Sequence, residues 1–182
     1  MCNKDQIITH INHLVNLTRN IHLRRQLTAV DSNPKLNFWR VIYGGLLDLA
    51  VLEWCKLFGS NGETTHWKEL VDDIDDFRNN LFNTVGIDQK QWENYWDKMI
   101  AYRNDFIAHD RDNLDLKTYP ELDIALESSY YYYNYLIKKL RELGDHQYPN
   151  DLREYCNQFS KQAQSIAQIA VASTLDIDES VN

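Results

Sequence analysis

The sequence predicts an all-α protein that folds as a four- to five-helix up-and-down bundle. Five segments repeat their apolar residues with the 3.6-residue period of an α-helix. The turn formers glycine and proline number 6 and 3 among 182 residues, too few for a sandwich or barrel, which turns about every ten residues. The connections between the segments are short, and short connections favour antiparallel neighbours.

The first two predicted helices cover the N-terminal third of the chain. Residues 4–29 carry one apolar stripe, and a second helix begins near Pro34, at a first-turn position where the missing N–H does no harm. Ser32 or Asn33 is the expected cap of this helix, and Gly59 is its expected end. The two stripes comprise Ile7, Ile11, Leu14, Ile21 and then Trp39, Ile42, Leu46, Leu49.

Gly44 and Gly45 lie in the middle of the second helix, where a glycine costs about 1 kcal/mol relative to alanine. Such a pair predicts a kink or the close approach of a neighbouring helix. Residues 59–87 are the least regular part of the chain and contain one short acidic amphipathic piece, residues 67–82.

Three further helices are predicted in the second half of the chain. Asp88, with Gln91 three residues later, has the pattern of a capping box at the start of the third main helix. A fourth helix spans about residues 119–143, and a last one follows residues 149–151.

The charge of the chain limits the ways in which it can bind nucleic acid. Its net charge is −8 and its pI is near 5.2. This excludes a broad, sequence-independent coat on nucleic acid, because such binding depends on clustered lysine and arginine. RNA binding would need a local basic cleft around Arg103, for which Arg24, Arg25 and Arg40 would have to gather near it.

A cytoplasmic location is predicted from the cysteines and the hydropathy pattern. Cys2, Cys55 and Cys156 are scattered without metal-ligand spacing, as reduced thiols of a cytosolic protein would be. The polar start of the chain does not resemble a signal peptide, and no stretch approaches ~18 uninterrupted apolar residues. No contact with a membrane is therefore expected.

Arg103 interrupts a stripe of large apolar residues on the third main helix, among them Trp92, Trp96 and Met99. An unpaired buried guanidinium is costly, so Arg103 either pairs with an acid inside the bundle or lines a cleft that binds an anion. Asp48 and Glu53 on the second helix are the candidate acids.

The run from Arg103 and Asn104 to His109 resembles the signature of the HEPN superfamily of all-α domains. In that signature an arginine precedes a polar residue, and a histidine follows four to six residues after the arginine. The wider string YRNDFIAHDRD, with LEWCKLFG on the second helix, is similar to the abortive-infection branch. The resemblance covers residues 1–145. Residues 146–175 are expected to add a C-terminal helix packed on the same domain, and residues 176–182 a frayed acidic tail.

This resemblance implies a metal-independent endoribonuclease of a defence or toxin-type system, without a cofactor. Members of the superfamily are bundles that often dimerise and bring two motifs into one cleft, so a homodimer is expected. An antitoxin is a further expected partner. His109 is the implied general acid or base, since imidazole titrates near neutrality. Arg103 would hold the scissile phosphate, and Asn104 would orient phosphate or ribose. A toxin branch of the family carries a modified tyrosine two residues after the histidine, where this chain has Arg111.

The spacing of Arg103 and His109 does not place both on one helix face. Positions six apart on an ideal helix are separated by ~9 Å along the axis and ~120° around it. A helix end, the length of the arginine side chain or a second subunit would have to bring them together.

Other conspicuous residues have less specific interpretations. Tyr130 and Tyr133, in a run of tyrosines, are candidates for stacking on unpaired bases, although a run of tyrosines on a helix must place many of them in the core. The histidines besides His109 are scattered and are expected to be solvated.

Two other functions are compatible with the sequence. One is a non-catalytic HEPN module that binds RNA or a nucleotide, in which Arg103 binds phosphate and His109 transfers no proton. The other is a structural or regulatory helical protein that neutralises a basic partner, which the net charge of −8 would suit.

Overall fold

A computed structural model describes residues 4–60, 62–108 and 119–178, and the regular secondary structure in these ranges is entirely helical, as predicted. It has six α-helices there, where the sequence predicted four or five. A single 3₁₀ turn and one π-helical segment complete the secondary structure. The elements are α1 (Lys4–Val30), α2 (Asn37–Phe58), the 3₁₀ turn (Trp67–Glu69), α3 (Ile74–Val85), α4 (Gln89–Tyr102), the π-helix (Arg103–Ala108), α5 (Asp123–Glu142) and α6 (Leu152–Ala172).

The five long helices run alternately up and down, with α1 in the centre against α2, α5 and α6. The helices α1 and α2 are antiparallel, because His13 contacts Glu53 at one end and the Tyr43 hydroxyl donates to the Leu27 carbonyl at the other. Contacts of the same kind make α4 antiparallel to α2, α5 antiparallel to α1, and α6 antiparallel to α5. The predicted up-and-down bundle is confirmed, whereas the HEPN identity stays a prediction.

The predicted start of α4 is confirmed and that of α2 is wrong. Asp88 Oδ1 accepts the N–H of Gln91 at 2.7 Å, and Gln91 Oε1 accepts the N–H of Asp88 at 2.8 Å, which completes a capping box. The helix α2 begins instead at Asn37, without a side-chain cap. Asp31 explains the difference, because its carboxylate accepts the N–H of Asn33 at 3.0 Å and holds this segment in a turn.

The acidic piece within residues 59–87 forms a complete helix, α3, which accounts for the higher helix count. Asp73 caps its start by accepting the N–H of Asp76 at 3.0 Å. Gly86 ends it with a φ of 77°, a left-handed conformation that glycine adopts without steric cost.

The predicted close approach of another helix at Gly44 and Gly45 is not found among the described residues. The helix α2 is continuous through both glycines, and a Cβ atom added to either would meet nothing within 4 Å. Both lie near the outer face of α2, where Val41 is 73% exposed and Leu49, which was expected to face inward, is 49% exposed.

The apolar side chains form two clusters. The main cluster contains residues from each of the five helices α1 to α5 and from the start of α6. Its largest fully buried side chain is Trp54. A smaller cluster lies where the end of α1 and the start of α2 meet the last turns of α6. It consists of Leu27, Trp39, Leu46, Ala167 and Val171, with partly buried neighbours around them. Trp39 Nε1 donates to Thr174 Oγ1 at 2.9 Å and ties this end together.

None of the helices in these ranges combines the length and the apolar character that a bilayer crossing needs.

Two histidines that were expected to be solvated are buried. His10 is 1% exposed, with Nδ1 at 2.7 Å from the Tyr132 hydroxyl, and His66 is 3% exposed. Burial lowers the pKa of both side chains from 6.5 to about 4. The expectation fails because the neighbours that bury them come from other helices.

The lowered pKa values of His10 and His66 predict that the protein loses stability in mild acid. The unfolded chain binds protons at pH values between 6.5 and about 4 where the folded chain does not. The contribution of these histidines to the free energy of unfolding is therefore fully present above pH 6.5. It is lost as the pH drops, by up to ~1.4 kcal/mol per pH unit for each histidine. Urea unfolding at pH 7 and pH 5 measures this slope, which His10→Gln is expected to reduce. The exposed His146, replaced in the same way, serves as control, and an equal slope in all three proteins would contradict the assignment.

Candidate functional site

Arg103 stands where α4 changes into the π-helix, at the first residue of the wider turn. Such turns are rare and frequently occur at functional sites. The Arg103 side chain is half-buried, and its Nε and Nη2 donate to Oδ1 of Asn104 at 3.1 and 3.0 Å. Within the described ranges the guanidinium has no carboxylate partner. An amide oxygen therefore fixes its position, and no carboxylate of the described residues compensates its positive charge.

The electrostatic influence of Arg103 reaches α2 at Cys55. Burial raises the pKa of the Cys55 thiol to about 12, and the nearby positive charge of Arg103 opposes this rise. The Cys55 side chain also lies 3.8 Å from the Met99 carbonyl of α4. Arg103 therefore lies along the contact between α2 and α4, at the edge of the main cluster.

Asp48 bonds to the residue next to Arg103 instead of to Arg103 itself. Its Oδ1 accepts the Tyr102 hydroxyl at 2.7 Å. Burial and then this hydrogen bond raise the pKa of Tyr102, and the charge of Arg24 acts in the opposite direction. Asp48 thus anchors the last turn of α4 and positions Arg103 indirectly.

Glu53 is committed to a different contact. It pairs with His13 of α1 and accepts from Lys56 Nζ at 3.1 Å. Burial alone would raise the pKa of Glu53, but the hydrogen bonds from His13 and Lys56 lower it. Direct pairing of Asp48 or Glu53 with Arg103 is therefore not what the structure shows, because each carboxylate already has another partner.

His109 lies outside the described residues, so its convergence with Arg103 stays a prediction. It follows directly after Ala108, the last residue of the π-helix. The description resumes at Tyr119, whose ring centroid is 6.3 Å from that of Tyr102. The two described ends of this part of the chain are thus both close to Arg103, one in sequence and the other through Tyr102.

The arginines that a basic cleft around Arg103 would require are mostly engaged elsewhere. Arg25 pairs with Asp123 at 2.6 Å, and Arg40 Nε donates to the Pro34 carbonyl at 3.0 Å. Arg24 acts on the Tyr102 hydroxyl, and its buried Nε has no hydrogen-bond partner within the described ranges. The basic character of this region therefore comes from Arg103 and Arg24.

The prediction that Tyr130 and Tyr133 stack on bases is wrong. Tyr130 is 4% exposed, with the Arg153 guanidinium 4.3 Å from its ring centroid, and Tyr133 is fully buried. The Tyr133 hydroxyl donates to the Pro149 carbonyl at 2.6 Å. Both rings face the packed neighbours of α5, so neither offers a surface to a base.

Comparisons with protein-family models, with curated proteins and with solved structures find no match for this chain. These comparisons therefore assign the chain to no family. The assignment of chemistry to Arg103, Asn104 and His109 therefore rests on the sequence motif and on the geometry around Arg103.

No group of three or more histidine, cysteine or acidic side chains in the described part of the chain is arranged to hold a metal ion. The cysteines Cys55 and Cys156 are free and buried.

A second set of polar and aromatic residues, which the sequence did not single out, surrounds an open cavity of about 520 Å³. We call this cavity the tryptophan pocket. It lies between the 3₁₀ turn, α3 and α4, and the residues that define it are His66, Trp67, Lys68, Arg78, Trp92 and Trp96. Three of the five tryptophans in the chain line it. The position of Trp96 one turn after Trp92 was visible in the sequence, but the opposite wall comes from residues that are distant in the chain.

Proposed function

We propose that the protein is a metal-independent endoribonuclease whose site is centred on Arg103. The observation that carries this proposal is the state of the Arg103 guanidinium, which is half-buried and fixed on the Asn104 amide with no carboxylate partner in the described ranges. A cation held in this way is suited to an anionic ligand, and a guanidinium matches two phosphate oxygens at once.

The proposed reaction is an attack of the RNA 2′-hydroxyl on the adjacent phosphorus. The bond from phosphorus to the 5′-oxygen breaks, and the products are a 2′,3′-cyclic phosphate and a free 5′-hydroxyl. His109 accepts the proton of the 2′-hydroxyl or donates one to the leaving 5′-oxygen, and solvent water supplies or takes up the other proton. Arg103 stabilises the charge that grows on the non-bridging oxygens. Asn104 uses its carbonyl oxygen for Arg103, so its amide N–H₂ group remains as a donor to phosphate or ribose.

The outer face of α2 supports the proposal of a homodimer. Phe38, Val41 and Leu49 are exposed along this face, beside two glycines at which a Cβ atom would meet no atom of the described residues within 4 Å. Exposed apolar patches of this kind often mark interfaces, and a two-fold dimer buries the same patch on both copies. Asp48, which positions Tyr102 beside Arg103, belongs to this same helix. The antitoxin partner and the cytoplasmic location stay predictions.

Arg103→Gln is expected to lower the rate of RNA cleavage by about 10²- to 10³-fold, because the glutamine amide keeps a donor but removes the charge that opposes the developing negative charge. Labelled single-stranded RNA with EDTA present is the substrate, and the ends of the products are analysed. The matched control is Arg40→Gln, because Arg40 is an exposed arginine on α2, a different helix from the one that carries Arg103.

Cleavage by the wild type and by Arg40→Gln in EDTA, with cyclic-phosphate ends, would support the proposal. Cleavage that requires a divalent metal would overturn it. RNA binding by the wild type without any cleavage would instead favour the non-catalytic module, in which Arg103 binds phosphate alone.

A further inference from the structure

The tryptophan pocket is lined by the imidazole ring of His66. Nδ1 of His66 accepts the backbone N–H of Lys68 at 3.4 Å, which assigns the ring proton to Nε2. The residue as a whole is 3% exposed, and it lines the cavity. Burial lowers the pKa of His66 to about 4, so the ring is neutral near pH 7 and presents one N–H donor to the pocket.

Two half-buried indole rings, those of Trp92 and Trp96, line the same cavity. Trp96 is held by its Nε1, which donates to the Phe58 and Gly59 carbonyls at 2.9 and 3.1 Å. Trp92 is held against Trp54, with ring centroids 5.7 Å apart. Because both rings are fixed by their neighbours, they offer a stacking surface that loses little side-chain freedom when a flat ligand binds.

The charged groups of the pocket have both signs. Lys68 and Arg78 are its cations, with Lys68 Nζ placed 5.7 Å from the Trp67 ring centroid, and Glu93 and Asp97 are its carboxylates. A ligand that matches these groups combines a flat ring, an acceptor for His66 and a donor edge for a carboxylate. It also carries a negative group for the cations. A guanine nucleotide has all four features, since O6 and N7 of its base are acceptors and its N2 amino group is a donor.

The pocket and Arg103 lie along one face of the same helix. Trp92, Trp96 and Arg103 are spaced by four and seven residues, and seven residues cover ~10 Å along an α-helix. One strand of RNA is long enough to place a base in the pocket and a phosphate near Arg103.

We propose that the tryptophan pocket binds a guanine base of the RNA substrate, stacked on Trp92 or Trp96, with its phosphate near Lys68 and Arg78. The identification of the ligand as RNA rests on the proposed function. The pocket is then a specificity subsite separate from the site of cleavage, and it binds a guanine nucleotide even when no reaction takes place.

The test is titration of the full chain with 5′-GMP, 5′-AMP and 5′-CMP, followed by tryptophan fluorescence and by calorimetry. We expect GMP to quench the fluorescence and to bind at least about tenfold more tightly than AMP or CMP. Asp97→Asn is expected to weaken GMP binding by roughly tenfold or more, since hydrogen bonds to a charged group are the stronger ones. The matched control is Asp176→Asn, an exposed carboxylate outside the pocket, and it is expected to leave binding unchanged.

Equal binding of the three nucleotides, no binding of GMP, or equal effects of the two aspartate variants would overturn the inference. Arg103→Gln separates this inference from the proposed function. If Arg103→Gln still binds GMP and the wild type never cleaves RNA, the guanine-binding pocket is supported and the ribonuclease activity is refuted. Cleavage of RNA by a wild type that does not bind GMP would refute the pocket alone.

Discussion

Replacement of His109 by alanine is expected to slow RNA cleavage by about 10²- to 10⁴-fold, the contribution typical of a general acid or base. The imidazole is the group in the motif that titrates near neutrality. The side chains of Arg103 and Asn104 do not replace it, because the guanidinium stays protonated and the amide does not titrate. Single-turnover cleavage of labelled RNA in EDTA measures the effect.

The matched control for this variant is His146→Ala, since His146 is exposed in the connection between α5 and α6. The control should cleave at the wild-type rate. The wild type should also lose activity on one side of neutrality, and this limb of the pH profile should be absent in His109→Ala. Equal rates for the wild type and His109→Ala would remove His109 from the mechanism and indicate a different site.

Replacement of Trp54 by alanine is expected to lower the free energy of unfolding by about 3–5 kcal/mol. Trp54 is fully buried, and its ring centroid lies 5.5 Å from that of Phe58 and 5.4 Å from that of Tyr95. Its Nε1 also donates to Ser128 Oγ at 3.2 Å. The variant therefore loses contacts with α2, α4 and α5 together and leaves a cavity at their junction.

Urea unfolding followed by far-ultraviolet circular dichroism measures this loss. Leu143→Ala is the control, because Leu143 is 48% exposed at the end of α5 and surface substitutions usually change stability by less than ~0.5 kcal/mol. A similar small change in both variants would mean that Trp54 does not lie at the centre of the core.

The long helices were predictable because the period of their apolar residues reflects a single face that must be buried. The cap of α4 was predictable for a related reason, since the side chains of Asp88 and Gln91 each accept the backbone N–H of the other residue. The capping box of α4, a signal complete within four residues of the chain, is thus confirmed by the structure.

The start of α2 and the outer face of α2 were not predictable from such signals. Ser32 and Asn33 are residues that often cap helices, but the carboxylate of Asp31 competes for the same backbone and forms a turn. Gly44 and Gly45 indicated a neighbour that the described chain does not supply. Each pattern was compatible with two structures, the predicted one and the observed one. The surrounding residues, which the pattern does not include, decide between them.

The candidate site was predictable in its centre and not in its surroundings. Arg103 is identified by its place in an apolar stripe and by the motif it begins. The partners of Asp48 and Glu53 depend on how α2 crosses α1 and α4, which periodicity does not specify. The burial of His66 and Tyr133 depends in the same way on neighbours distant in the chain, so their roles as pocket donor and core residue required coordinates.

The division of the apolar side chains into two clusters makes α6 part of two cooperative folding units. Leu152 and Cys156 in its first turns belong to the main cluster, and Ala167 and Val171 in its last turns belong to the small one. Regions held by few buried contacts open at lower free energy than the global core. The last turns of α6 can therefore unfold locally together with the turn between α1 and α2, while the first turns of α6 and the contact of α2 with α4 at Arg103 stay intact.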